Sequence, residues 1–187
     1  MIRFFIFLLL ASATALPAAT KEITSSQLLP MVTEALQKAF EINDAKLVLS
    51  PTRPLPAVPV PADALVQVQI VSHPPTGPTA FMRTQYALLL DGRRVGEWTG
   101  FFKAQLLKEV WLTGKIASRH ASLDKVKLIR KKVDVINLRT GVWEGKPDST
   151  LQLTQSMGTG MVLLPRHVRR TPVILRNQMV TGVLLYK

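Results

Sequence analysis

Apolar residues follow two different spacings along the chain, and the switches between them mark its elements. Leu28, Val32, Ala35, Leu36, Ala39 and Phe40 recur at helical intervals, with Glu34, Gln37, Lys38 and Glu41 on the other faces, which predicts one amphipathic helix. Ser25 and Ser26 offer capping hydroxyls close to its start. Pro30 suits only the first turn, where its missing N–H is not needed, so the helix is expected to begin shortly before it. Residues 46–49 alternate weakly as a short strand. Pro51, Pro54, Pro56, Pro59 and Pro61 then exclude regular structure and predict a stiff, polyproline-like connector over 51–61.

A period of two returns over 64–71 and 80–90, with a turn-rich loop at 73–78 between them. Asp91-Gly92, flanked on both sides by apolar residues, is a strong hairpin signal and makes 93–102 the returning strand. Trp98, Phe101 and Phe102 are expected to supply much of the core. These pieces form a helix packed on a small antiparallel sheet.

From 111 to 176 the pattern occurs twice, at an offset of about forty residues. Trp111 and Thr113 fall on Leu151 and Leu153, Leu123 on Leu163, Leu128 on Val168, Val133 on Val173 and Val135 on Leu175. Each copy reads as a short strand, a turn, spaced apolar residues and a β-branched strand, which predicts a small β domain with internal pseudo-symmetry.

Composition adds destination and charge. The 187 residues, 47% hydrophobic and 19% charged, suit one or two folded domains. Arg3, the apolar run 4–10 and the small residues 11–15 have the form of a secretory signal peptide, assigned to 1–19, with Ala13, Ala15 and Ala19 as candidate cleavage positions. The apolar run is too short to span a bilayer, so stable membrane insertion is not expected. No cysteine is present, which excludes disulfides, thiol catalysis and thiolate metal sites. A net charge of +12 points to an acidic protein, an anionic surface or a polyanion. Nucleic acid is disfavoured for an exported chain without stacking aromatics.

Catalytic chemistry has little to stand on. His73, His120 and His167 are isolated from acidic partners at metal-ligand spacing, no Gly-x-Ser-x-Gly elbow occurs, and Gly158-Thr159-Gly160 reads as a turn. No enzyme activity, catalytic residue, metal or cofactor is therefore expected. Basic residues outnumber acidic ones beyond a domain boundary placed near Lys103. Arg130, Lys131 and Lys132 lie close to the positions that match Arg169 and Arg170. These five are the candidate partner-binding residues, and two readings fit them: a patch for an acidic partner, or cationic protection of exposed strand edges.

The stretch 119–176 resembles the SAF-domain family and, within it, the flagellar basal-body P-ring assembly proteins. That family's repeat runs, in outline, glycine, two residues, leucine, three residues, aspartate, leucine. Gly160, Leu163 and Val168 match the second copy and His120, Leu123 and Leu128 the first. Val133-Asp134-Val135 with Leu138 resembles the family's valine-aspartate strand, and 171–176 running into Met179-Val180-Thr181 resembles its last region. His120 stands in place of a turn glycine, so that turn is expected to be looser or to hold a histidine at positive φ. Lys127 and His167 stand where the family has aspartates. The family continues for several strands past the position of Lys187, so an incomplete C-terminal domain is expected.

The resemblance implies an α+β, mainly β fold. An N-terminal α+β domain would occupy 20–103 and a SAF-like β-clip domain 104–187. It implies a periplasmic chaperone, without cofactor, that binds flagellar P-ring subunits and promotes their assembly around the rod. The alternative is an accessory protein of a pilus or secretin system that binds cell-wall glycan through its basic face.

Overall fold

A computed structural model describes residues 20–138, 140–172, 179 and 181. The leader assigned to 1–19, Arg139, and the matches at Val173 and Leu175 lie outside the described residues. Among the described residues the chain is mainly β with one α-helix. In order, β1 (Thr20–Ile23), α1 (Ser25–Ala39), β2 (Ala45–Pro51), β3 (Val58–Pro61), β4 (Val66–Ser72), β5 (Phe81–Leu90), β6 (Arg93–Thr113), β7 (Leu128–Asp134), β8 (Leu151–Leu153), a 3-10 turn (Pro165–His167) and β9 (Val168–Arg170) follow one another. No helix among the described residues is long and apolar enough to cross a membrane.

Helix α1 forms where the apolar stripe predicts, but two details differ. Its cap is Thr24, whose N–H donates to Gln27 Oε1 at 3.2 Å, so Ser25 and Ser26 are already helical. Pro30 therefore lies in the second turn rather than the first, where it leaves the Ser26 carbonyl without its usual partner. Leu28, Val32 and Leu36 are fully buried against the sheet. Gln37 ties the helix to β2 by accepting the Leu47 N–H at 3.3 Å.

The sheet runs β2-β6-β5-β4, all antiparallel, and β7 pairs with the far half of β6. Asp91 and Gly92 take φ 49° and 79°, the left-handed pair that a two-residue hairpin turn requires. Met82, Thr84, Tyr86 and Leu88 of β5 face the core, as do Trp98, Gly100 and Phe102 of β6 opposite the first three and Ala104 further along β6. A Cβ on Gly100 would come within 2.4 Å of the Phe102 ring, so the glycine makes the room that ring fills. Phe101, expected in the core, instead points to the opposite face and is exposed, because neighbours along a strand face opposite ways.

The proline-rich stretch is not wholly irregular. Val58–Pro61 pairs antiparallel with Thr20–Ile23, a ribbon that closes the end of the core with Ile23 and Val60. Pro59 and Pro61 are tolerated because they alternate. Val58 and Val60, opposite Ile23 and Lys21, keep the N–H groups the pairing needs. The returning strand also overruns its expected end at residue 102. β6 continues through Lys103 for 21 residues in all and enters a second apolar cluster.

That second cluster is built by the doubled stretch. Thr113 pairs with Leu128 as Leu153 pairs with Val168, and Trp111 with Arg130 as Leu151 with Arg170, so the register repeats at an offset of forty. Contacts between the copies are reciprocal. Leu163 N–H donates to Trp111 O at 2.8 Å and Leu123 N–H to Leu151 O at 2.9 Å; Gly160 donates to Thr113 and His120 to Leu153. Ala117 and Met157, also forty apart, exchange hydrogen bonds with each other and mark the local two-fold axis. Leu123, Leu163, Leu153, Ala117 and Met157 form the buried centre.

Candidate partner-binding surface

Strand β7 brings Arg130, Lys131 and Lys132 opposite Trp111, Val110 and Glu109 of β6. Gly114 N–H donates to Lys127 O at 2.6 Å and Val135 N–H to Leu106 O at 2.8 Å, which sets the phase of the ladder. Ile129, Lys131 and Val133 turn their main-chain groups to β6, and Leu128, Arg130 and Lys132 turn theirs away. The Arg130 guanidinium lies 4.9 Å from the centre of the Trp111 ring and 3.6 Å from the Glu109 carboxylate. Trp111 is itself fixed by its indole N–H, which donates to Gly145 O at 3.1 Å. Arg130 is thus held against a ring, whereas Lys131 and Lys132 pair with no carboxylate among the described residues.

Asp134 ends this strand by accepting the N–H groups of Leu106 at 3.0 Å and Ile136 at 3.1 Å. A carboxylate there satisfies two donors that the end of the ladder leaves over, which is a physical role for the valine-aspartate pair. Nearby, Lys108 bonds both Asp44 and Glu144 and so ties the α1–β2 corner and the 135–148 loop to β6. Its bonds to these two carboxylates raise the ammonium above the ordinary lysine range, and the same ammonium holds Asp44 below the usual carboxylate range.

Arg169 and Arg170 lie on β9, in a separate two-stranded ribbon. Arg170 sits opposite Leu151 as Arg130 sits opposite Trp111, so these two arginines occupy equivalent places in the two copies. Arg169 matches Ile129, not a basic residue, and its guanidinium donates to His120 Nδ1 at 2.9 Å. Of the five basic residues, Arg130 and Arg170 are therefore related by the local two-fold, and the set is divided between two pairs of strands. His120 takes φ 66° where its counterpart Gly160 takes 78°, the positive φ expected of a histidine replacing a turn glycine. His167 is buried, accepting the Leu164 N–H at Nδ1 at 3.3 Å. Burial and the neighbouring Arg166 charge hold it below the ordinary histidine range.

A second group escaped the sequence reading. On the sheet face away from α1, Phe81 is 71% and Phe101 38% exposed. Phe81 stands opposite Lys103, and Arg83 stands opposite Phe101, so rings and cations alternate on adjacent strands. Arg53, just beyond β2, places its guanidinium 5.0 Å from the centre of the Phe101 ring. Parity was the signal available: Phe101 and Phe102 are consecutive in a strand, and only one of them can face the core.

Compared with known proteins, the chain matches no family model and no curated protein. Among solved structures it is similar to flagellar protein FlgA from Thermotoga maritima, at 16% sequence identity and a TM-score of 0.42, over 82% of this chain and 55% of that one. The chain thus spans little more than half of that protein's length.

Proposed function

We propose that the chain is an exported assembly factor that binds flagellar P-ring subunits in the periplasm and releases them into the growing ring, without catalysis or cofactor. The observation that supports this reading is the doubled unit. The residues on which the sequence resemblance rests, His120 with Gly160, Leu123 with Leu163 and Leu128 with Val168, occupy equivalent positions in two copies of one register. An assembly factor of this kind works by stoichiometric contact, through strand edges and apolar surface. The flagellar part of the reading comes from the resemblance, and the binding part from exposed cationic edges on a rigid β frame.

The test has two arms. Purified chain immobilised on a sensor is expected to bind purified P-ring subunits saturably at micromolar concentration, and a flat response would overturn the reading. A strain lacking the gene is expected to lose motility and P-rings; normal flagella in that strain would overturn it independently. Co-sedimentation with peptidoglycan in place of subunit binding would favour the cell-wall alternative.

A further inference from the structure

We infer that the open face of the sheet, centred on Phe81 and Phe101, is a docking site for an acidic polypeptide segment that seats one apolar side chain between the two rings. The inference goes beyond the assembly reading and does not rest on it, since nothing in it is specific to a flagellar partner.

The face is made by parity. Residues of β5 and β6 that alternate with the core set point away from α1, and at its centre Phe81, Arg83, Phe101 and Lys103 are exposed. Large aromatic rings on a solvated sheet face lose free energy to water, so two of them at diagonal positions on neighbouring strands call for an occupant. Between them lies a recess of about 230 Å³ lined by Thr52, Phe81, Met82, Arg83, Phe101 and Phe102. Its lining is more apolar than polar, and its volume suits a single side chain of leucine or phenylalanine size.

The surroundings set the charge of the occupant. Arg53, Arg83 and Lys103 border the rings, and Lys46 lies on β2. No carboxylate occurs in β2, in β5 or over 98–108 of β6. Glu97, further along the same face, is already engaged by Arg94. Unpaired guanidinium groups beside aromatic rings suit carboxylates that approach with an apolar neighbour, because the ring surface lowers the local dielectric and strengthens the ion pair. A partner bound by charge alone would leave the recess unfilled, which is why a polypeptide fits better than a sulfated glycan or a phosphate polymer.

The probe is a fluorescein-labelled nine-residue peptide with a central leucine flanked by glutamates, titrated with the full chain at low salt and read by fluorescence anisotropy. Saturable binding is expected, and a lysine-flanked peptide is expected not to bind. The double change Phe81→Ser with Phe101→Ser, and separately Arg83→Glu, are each expected to weaken binding at least fivefold. All three residues are surface positions, so thermal melts should coincide with the parent. Arg53→Glu with Arg83→Glu is expected to gain binding of the lysine-flanked peptide. Absence of binding by the glutamate peptide, equal binding of both peptides, or loss of the rings without effect would overturn the inference. A heparin fragment that competes equally well with the parent and the ring-deleted chain would assign the face to polyanions and overturn it too.

Discussion

Two buried side chains show how individual polar groups set the stability of this chain. Tyr86 is fully buried, and neither its hydroxyl nor that of Thr84 has a hydrogen-bond partner among the described residues. Burial accordingly raises the Tyr86 phenol above its ordinary range. An unpartnered buried hydroxyl carries its desolvation cost without return. Tyr86→Phe is therefore expected to be neutral or to stabilise by about 1 kcal/mol, measured by urea denaturation; a loss of stability would mean that the hydroxyl has a partner in solution. His167 is the opposite case, a buried ring whose neutral form is bonded. Its folded pKa lies below its unfolded value, so the unfolded chain binds the extra proton. Stability is full above about pH 6.5 and falls as the pH drops from there through the folded value. His167→Gln is expected to flatten that part of the stability profile, while the carboxylate-driven loss at lower pH persists.

At the scale of elements, the two turns that hold His120 and Gly160 are the same turn built from different residues. Nothing lies within 4 Å of a Cβ added at Gly160, so Gly160→Ala costs only the left-handed backbone, about 1 kcal/mol. His120→Gly is expected to move the other way, stabilising by less than about 1 kcal/mol after the exposed bond to Arg169 is lost. Chemical denaturation of the two variants checks the pair, and changes of the same sign would contradict the equivalence of the copies. This equivalence was legible in the sequence because spacing survives even where residue type does not. Helix α1, the hairpin at Asp91-Gly92 and strands β4 and β5 were legible for a similar reason: local periodicity and turn chemistry decide them. The ribbon β1–β3 was not. It depends on a pairing between residues some forty positions apart, and prolines mask it locally. The alternating ring and cation face was hidden by an assumption that large apolar residues are buried, when strand parity had already placed Phe101 outside. Of the candidate partner-binding residues, their basic character was legible but not their division between two ribbons, which only the long-range register fixes.

At the scale of the whole molecule, the described residues form two apolar clusters, one around α1 and one around the local two-fold, and the boundary drawn near Lys103 falls inside β6, the strand that serves both. Ile136 packs back on the first cluster, and Lys108 ties the 135–148 loop to the α1–β2 corner. With so much shared, the clusters are expected to unfold together. Trp98 packs on the first cluster, and Trp111 and Trp143 on the second, so variants that keep one tryptophan each report on one cluster. Their guanidinium transitions are expected to coincide; midpoints that separate would show that β6 breaks between them.

Strand β6 also has a mechanical consequence. Twenty-one extended residues reach about 70 Å, with β5 gripping 93–103, β2 102–108 and β7 107–113. A pull along this axis, such as an attached partner being drawn into a growing polymer, loads the flanking hydrogen bonds in shear, many at once, rather than peeling them singly. The chain is therefore stiff along one direction, and a load taken up at the doubled unit reaches the helix-backed sheet without passing through a hinge.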